Sequence, residues 1–198
     1  HVIKIKSAII LCGGKSTRMG FDKQKIRIND QLIVLHIANQ LALLVDEIII
    51  VTNNPELYYG SGYKVVEDVI KDCGPMAGVY SGLLNSINEY SYVVAGDMPF
   101  VNHEYMKYLD KIIYILKENP DTLAIKRERR IEPFHAVYSK KLCPILYEHL
   151  VSGNHKLSRL IASVNTRYVD EKEVSRYDLE GKMFTNLNTL SDIRCHNL

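Results

Sequence analysis

The sequence predicts an α/β protein, a three-layer α/β/α domain with a mainly parallel central sheet and Rossmann-like topology. Two observations predict it. Short apolar segments that fit buried strands alternate along the chain with segments that fit helices, which is the pattern of successive βαβ units. Small, polar or acidic residues follow four of the apolar segments, where parallel sheets bind ligands. The length of 198 residues suits one domain, so we expect residues 1–198 to form a single domain.

Seven segments have the apolar composition of strands. They are Ser7–Cys12, Glu47–Thr52, Lys64–Glu67, Tyr92–Ala95, Thr122–Lys126, Phe134–Tyr138 and Thr166–Val169. Four segments between these strands predict helices, and in the first two the apolar residues recur at helical intervals. They are Val34–Leu44, Met76–Ile87, His103–Lys117 and Lys140–Leu150. Pro75 stands directly before the second helix, where a helix start tolerates proline.

The composition argues against several classes of protein. Hydrophobic residues make up 46% of the chain and charged residues 24%, as in an ordinary globular protein. The net charge of +2 does not favour nucleic acid as a partner, and no apolar run approaches the roughly 20 residues that span a bilayer. The cysteines are scattered without a C-x-x-C pair, so we expect no zinc site, no disulfide framework and a cytoplasmic location. They are Cys12, Cys73, Cys143 and Cys195.

The segment Ala8–Gln24 carries the strongest functional signal. Its apolar strand ends at Gly13 and Gly14, and a polar loop follows with several cations, among them Arg18 and Lys23. Paired glycines let backbone N–H groups approach a ligand closely, and the cations favour a polyanion such as a nucleoside triphosphate. The spacing fits neither the Walker phosphate loop nor the G-x-G-x-x-G fingerprint, so the sequence predicts a third kind of phosphate loop.

A carboxylate follows the fourth predicted strand. Asp97 comes directly after a buried run, and Pro99 stops that run from continuing as a strand. We therefore expect the Asp97 side chain at the rim of the sheet. Mg²⁺ prefers oxygen ligands and commonly takes one or two carboxylates together with phosphates, so we favour a metal role over a turn or helix-capping role.

Other polar or small residues extend the candidate pocket. Thr52 and Asn53 follow the second strand, and Asp68 follows the third, where it can accept hydrogen bonds from a base or ribose or lie in an exposed turn. Gly78 lies in a glycine-rich helix start. It permits close approach of the backbone to a flat ligand or close packing of the helix on the sheet, and the sequence leaves both interpretations open.

The order of these motifs resembles the molybdenum cofactor guanylyltransferases, which are MobA-like nucleotidyltransferases, and the resemblance spans nearly the whole chain. The segments that carry it are LCGGKSTRMGFDK, KVVED, GPMAG, VVAGDMPFV, EPFHAVY and TNLNT. The resemblance implies a nucleotidyltransferase fold and a nucleotide site in the N-terminal half of the chain. The implied nucleotide-binding residues are Leu11, Cys12, Gly13, Gly14, Lys23, Thr52, Asn53, Asp68, Gly78 and Asp97.

The implied reaction is the transfer of GMP from GTP to the terminal phosphate of molybdopterin, with or without molybdenum, and the release of pyrophosphate. Arg18, Lys23 and Asp97 would act as catalytic residues, with Mg²⁺ on Asp97. The C-terminal half would bind the acceptor, and Asn186 and Asn188 are candidates because amides hydrogen-bond a pterin edge in both directions. Asn188 could instead cap a helix.

Several alternatives stay open from the sequence. The chain could use CTP for the same acceptor, or transfer a nucleotide to a sugar or polyol phosphate, or act as a non-catalytic carrier of nucleotide or cofactor. Expected partners are GTP, molybdopterin or its molybdenum form, and proteins that insert or receive the cofactor.

Overall fold

A seven-stranded sheet forms the centre of the computed structural model, which describes residues 2–12, 22–116, 119–188 and 192. The strands in this part of the chain are β1 (Ile5–Leu11), β2 (Arg27–Ile28), β3 (Gln31–Leu32), β4 (Glu47–Val51), β5 (Lys64–Val66), β6 (Tyr90–Ala95), β7 (Thr122–Arg127), β8 (Arg130–Ser139) and β9 (Thr166–Asp170). The order in the large sheet is β5-β4-β1-β6-β8-β7-β9, and β2 and β3 form a separate small hairpin.

The sheet is mainly parallel, as predicted. Strands β5, β4, β1 and β6 run in the same direction, and β9 is parallel to β7. Strand β8 lies antiparallel to both of its neighbours, β6 and β7. The chain reverses direction between β7 and β8 in a two-residue loop of Glu128 and Arg129, in which Glu128 has a φ of 46°.

Helices cover both faces of the sheet. The α-helices of the described ranges are α1 (Ile33–Leu41), α2 (Pro75–Asn85), α3 (His103–Ile115), α4 (Cys143–Val151), α5 (Leu157–Ser163) and α6 (Glu171–Ser175). The first four match predicted helices, and the predicted end at Lys117 lies outside the described residues. Helices α1 and α3 share one buried core, and helices α2, α4 and α5 share the core on the opposite face, which gives the predicted three layers. No described helix is both long enough and apolar enough to cross a bilayer.

The chain changes direction across the sheet at β1 and β6. Strands β4 and β5 lie on one side of β1, whereas β6 lies on the other. The carboxyl ends of β1 and β6 are in register, with Leu11 opposite Ala95, and the Gly96 N–H donates a 2.8 Å hydrogen bond to the Leu11 carbonyl. Open α/β sheets bind ligands at such a switch point, so this edge is where the site should lie.

Candidate active site

Three segments that are far apart in the sequence meet at the ammonium group of Lys23. Its Nζ lies 3.7 Å from Asp97 Oδ2 and donates a hydrogen bond to Asn188 Oδ1, although 165 positions separate Lys23 from Asn188. The Leu187 N–H donates a 2.8 Å hydrogen bond to the carbonyl of Asp97. The structure therefore brings together two residues predicted to be catalytic and one predicted to bind the acceptor.

The backbone of Lys23 is held by a short 3₁₀ turn, Lys23–Lys25. Asp22 caps this turn, because its Oδ1 accepts a 3.0 Å hydrogen bond from the Gln24 N–H. Asp22 Oδ2 accepts a 3.1 Å hydrogen bond from the side-chain amide of Asn54, in the loop after β4. The capping carboxylate thus joins the Lys23 turn to the neighbouring strand end.

Thr52 belongs to the same network. It is 1% exposed, and its hydroxyl donates a 2.7 Å hydrogen bond to Gln24 Oε1 and accepts one of 3.0 Å from the Asn54 N–H. The Tyr58 hydroxyl donates to the same Gln24 oxygen at 3.0 Å. Thr52 therefore anchors the Lys23 turn. Of the two residues predicted in this loop, Asn53 is the one with an exposed side chain.

Asp97 is a partly buried carboxylate in a position suited to bind a cation. It follows β6, its side chain is 26% exposed, and burial raises the pKa of its carboxyl while Lys23 acts in the opposite direction. A carboxylate of this kind fits a hard divalent cation, which takes few protein oxygens when substrate phosphates and water complete its shell. Among the described residues, no group of three or more His, Cys, Asp or Glu side chains could hold a metal ion.

A second part of the site lies between β1 and α2. Gly78 packs so closely on β1 that a Cβ atom would lie 2.9 Å from Leu11 Cδ2 and 3.7 Å from Asp68 Oδ1. That Asp68 oxygen is buried and has no hydrogen-bond partner among the described residues, and burial raises the pKa of the carboxyl. A buried acceptor of this kind can be satisfied by the N–H groups of a ligand. Gly78 fits the packing interpretation and also leaves this acceptor uncovered.

Cys12 fills the space between β1 and β6. A Cβ atom on Gly96 would lie 3.2 Å from Cys12 Sγ, so only small side chains fit where the ends of β1 and β6 meet. Burial raises the pKa of the Cys12 thiol, which therefore stays protonated at neutral pH. Its place at the end of β1 agrees with a packing and contact role rather than a nucleophilic one.

The remaining predicted residues divide into two groups. Gly13, Gly14 and Arg18 lie outside the described residues, so their roles stay predictions. Asn186 is exposed two positions before Asn188, and the structure gives only Asn188 a hydrogen bond to the Lys23 ammonium.

An aromatic and cationic cluster that the sequence analysis missed supports the chain just before Asn188. The Arg127 guanidinium lies 4.1 Å from the centroid of the Phe184 ring, and that ring packs edge-on against His135 at 5.4 Å. His135 is fully buried and hydrogen-bonds through Nδ1 to the Tyr92 hydroxyl at 2.6 Å. Burial lowers the pKa of His135 to about 4, so the ring is neutral at physiological pH. The run of basic residues around Arg127 was the available signal, but it did not show that one of them stacks on Phe184.

A groove of about 570 Å³ lies beside the loop that follows Asp97. It lies between α1, residues 99–102 and residues 176–183. Its lining mixes cationic, amide and apolar side chains, including Lys182, Asn102 and Phe100. The groove is next to the Asp97 loop and is large enough for part of a small organic ligand.

The chain is similar to known proteins along most of its length. The chain matches the MobA-like NTP transferase domain over residues 8–170. A molybdenum cofactor guanylyltransferase from Syntrophotalea carbinolica is 41% identical over 191 residues, which cover 96% of this chain and 90% of the relative. A probable molybdenum cofactor guanylyltransferase from Peptoclostridium acidaminophilum is 40% identical and covers 95% of this chain and 86% of its own.

The fold also matches solved structures. Molybdopterin-guanine dinucleotide biosynthesis protein A from Archaeoglobus fulgidus superposes with a TM-score of 0.79 at 23% identity, covering 97% of this chain and all of that one. Nucleotidyltransferases of this kind generally use a divalent metal ion. The matched domain and the identity to the curated relatives confirm the resemblance that the sequence motifs indicated: the chain belongs to the MobA-like NTP transferase family and is an enzyme of the nucleotidyltransferase class.

Proposed function

We propose that this enzyme transfers GMP from GTP to the terminal phosphate of molybdopterin, with or without molybdenum, and releases pyrophosphate. The names of the relatives support the reaction. The observation that carries the proposal is the convergence of Lys23, Asp97 and Asn188. It brings together a cation suited to bind phosphate, a carboxylate suited to bind a metal ion and a residue of the predicted acceptor half.

The reaction requires the protein to position the two substrates and to neutralise their negative charge. An oxygen of the terminal phosphate of molybdopterin forms a bond to the α-phosphorus of GTP, and the bond between that phosphorus and the bridging oxygen to the β-phosphate breaks. The phosphate nucleophile is already ionised at neutral pH, so no general base is required. Both reactants are anions, and their encounter depends on preorganised positive charge.

Each residue would contribute to that task in a different way. Lys23 would bind the phosphates and stabilise the departing pyrophosphate, with Arg18 acting beside it. Asp97 would hold Mg²⁺, which when bound supplies Lewis-acid neutralisation of phosphate oxygens. Mg²⁺ is our proposal for the divalent ion, because a single carboxylate with substrate phosphates suits its preference for few protein ligands.

The nucleoside would lie on the patch formed by Leu11, Gly78 and Asp68. The unpartnered Asp68 oxygen is a suitable acceptor for the N–H groups of guanosine. The N-terminal loop with Gly13 and Gly14 would follow the phosphates. Cys12, Thr52 and Asn53 would complete the pocket, with Thr52 acting through the Lys23 turn.

The C-terminal half would bind the acceptor through Asn186 and Asn188, within a single domain that spans the chain. We also propose a cytoplasmic location, consistent with the scattered cysteines, of which Cys12, Cys73 and Cys143 are free thiols. Proteins that insert or receive the finished cofactor are the expected protein partners.

Nucleotide choice is tested by thermal unfolding with GTP, CTP, UTP or ATP in the presence of MgCl₂. A ligand at a hundred times its Kd adds about 2.7 kcal/mol to the free energy of unfolding. We expect the largest rise in Tm with GTP. A larger rise with CTP would contradict the guanylyl assignment.

Catalysis is tested by pyrophosphate release with fresh molybdopterin. We expect the Asp97→Ala and Lys23→Ala variants to lose at least roughly tenfold in turnover, about 1.4 kcal/mol of barrier, and to keep their fold. Wild-type rates in both variants would contradict the assigned roles. GTP binding by the unmodified enzyme without pyrophosphate release would favour a carrier.

A further inference from the structure

We infer that Asn188 is a positioning residue for Lys23, so that a residue of the predicted acceptor half sets the affinity of the enzyme for the nucleotide. The identity of that nucleotide rests on the proposed function. The geometry itself does not, because it concerns only the hydrogen bond between the two side chains.

The first step concerns the freedom of Lys23. Its side chain is 32% exposed, and a lysine in that position has several rotatable bonds and gains little from a partly exposed ion pair. Asp97 is 3.7 Å away, which is longer than a direct hydrogen bond. Asn188 Oδ1 accepts a direct hydrogen bond from the ammonium. The directional contact that fixes Lys23 therefore comes from Asn188.

The second step concerns the rigidity of Asn188. We call residues 182–188 the C-terminal strap. Met183 and Leu187 anchor this strap in the core, at 1% and 0% exposure, and Phe184 packs between Arg127 and His135. Asn188 follows the second anchor directly, and its own N–H donates a 2.7 Å hydrogen bond to Asp192 Oδ2. The amide is thus presented from a packed segment.

The third step concerns what changes when nucleotide binds. Asp97 is the carboxylate proposed for the metal ion, so its interaction with Lys23 would be shared with that ion and with the phosphates. The Asn188 amide is neutral, and its proposed role in acceptor binding does not draw it away from Lys23 before the acceptor is present. It can keep the ammonium beside Asp97 while the other N–H groups of Lys23 turn to phosphate oxygens. Preorganisation of this kind is expected to raise nucleotide affinity.

The prediction distinguishes this role from acceptor binding alone. If Asn188 served only the acceptor, its removal would leave nucleotide affinity unchanged in the absence of molybdopterin. If Asn188 positions Lys23, its removal weakens nucleotide binding, and the effect depends on the presence of Lys23. A double-mutant cycle measures that dependence.

The experiment is isothermal titration of the purified enzyme with GTP and MgCl₂ and without molybdopterin. The proteins are the wild type, Asn188→Ala, Lys23→Ala and the double variant. We expect Asn188→Ala to raise the Kd about threefold to tenfold, the size of effect that the loss of a typical intramolecular hydrogen bond produces. In the Lys23→Ala background, the same change should raise the Kd by no more than about twofold, because the partner is already gone.

Two further variants serve as controls for this experiment. Asn188→Leu replaces the acceptor oxygen and the amide nitrogen with methyl groups and keeps the branched shape of the side chain, so it should weaken nucleotide binding as Asn188→Ala does. If one of the two variants folds poorly, the other still tests the contact. Thr185→Ala changes the same strap three positions earlier and should leave the Kd within twofold of wild type. Thermal unfolding without ligand reports whether each variant is folded.

The outcomes separate this inference from the proposed function. An unchanged Kd in folded Asn188→Ala and Asn188→Leu would overturn the inference, and so would effects of Asn188 and Lys23 that multiply independently. If the wild type prefers CTP, the guanylyl assignment fails and the same cycle, run with CTP, still decides the role of Asn188. If the wild type binds no nucleotide, both fail.

Discussion

Asp68 is the residue whose environment most clearly indicates a ligand contact. One of its carboxylate oxygens is buried beside Gly78 without a hydrogen-bond partner in the described ranges. Burial raises its pKa above 3.8, Lys71 opposes that shift, and Glu67 adds to it. A buried acceptor without a partner carries a desolvation penalty, and a nucleoside that donates N–H groups would remove it.

The pH dependence of nucleotide binding follows from this shift. The raised pKa means that the folded protein favours protonated Asp68, so the carboxyl contributes stability below its ordinary pKa that is lost as pH rises through the raised value. The ionised carboxylate is the stronger acceptor of N–H groups, so GTP affinity should fall as pH drops through the raised pKa. We expect Asp68→Asn to weaken GTP binding and to flatten this part of the pH profile, without lowering the Tm of the free enzyme at neutral pH.

The measurement is the Kd for GTP with MgCl₂ at a series of pH values from neutral downward. Subtracting the variant profile from the wild-type profile removes the titration of the GTP phosphates, which both proteins share. Glu67→Gln is the matched control, because Glu67 is an exposed neighbour that adds to the raised pKa of Asp68. This variant should keep the pH dependence of GTP binding and move it to lower pH. A pH profile for Asp68→Asn identical to that of wild type would exclude Asp68 from the site.

At the residue level, the sequence predicted residues of the candidate site but not the contacts that hold their side chains in place. Lys23 and Asp97 stood out because cations and carboxylates after buried strands are unusual and chemically specific. The role of Thr52 in anchoring the Lys23 turn could not be predicted, because it depends on where the Gln24 side chain points. That direction is set by packing between segments that are distant in the sequence.

At the level of elements, the close contact between α2 and β1 lies under the proposed nucleotide site. A Cβ atom on Gly82 would lie 2.6 Å from Ile9 Cγ2 and 2.8 Å from Ile9 Cδ1. Ile9 is fully buried in the centre of the sheet and has no free space into which to move. The helix therefore lies as close to the strand as glycine allows.

Gly82→Ala tests this close packing. Overpacking costs about 1–3 kcal/mol, and the better helix propensity of alanine returns up to about 1 kcal/mol. We expect a net loss of about 1–2 kcal/mol in the free energy of unfolding, or roughly 2–8 °C in Tm for a chain of this size. Leu84→Ala, at an exposed position of the same helix, should change Tm much less. A Gly82→Ala protein as stable as wild type would contradict the packing described here.

The elements that the sequence missed have identifiable causes. All seven strands of the large sheet were predicted, because each carries a run of apolar residues. Helix α6 was not predicted because it is short, and the structure shows a capping box between Asp170 and Glu173 at its start. The reversal into β8 uses Glu128 and Arg129, which lack the glycine or asparagine typical of tight hairpins, so the antiparallel direction could not be predicted.

At the level of the whole molecule, the C-terminal strap returns the chain to the site formed near its other end. Leu187 is fully buried in the core that α1 and α3 share, and its N–H bonds to the Asp97 carbonyl. The stability of this core and the geometry of the candidate site thus both depend on Leu187. The resemblance indicated that Asn188 belongs to the site, but local patterns could not show that it meets Lys23.

Leu187→Ala tests that coupling. Truncating a fully buried leucine costs about 2–5 kcal/mol. We expect a lower Tm and, in protein that is still folded, weaker binding of GTP with MgCl₂, because the adjacent Asn188 loses its anchor. Leu146→Ala in the opposite core is the matched control, and it should lower Tm while leaving GTP affinity near wild type. Equal GTP affinities in the two variants, measured below their melting temperatures, would contradict the coupling.

The meeting of Lys23 with Asn188 has a consequence for the timing of activity during protein synthesis. Every strand of the large sheet ends by Asp170, so a chain growing on the ribosome contains the whole sheet, the Lys23 turn and Asp97 before Asn188 has been translated. At that stage the growing chain lacks the side chain that we infer positions Lys23. If Asn188 positions Lys23 as we infer, nucleotide affinity develops only after residue 188 has been added and has packed against the finished sheet.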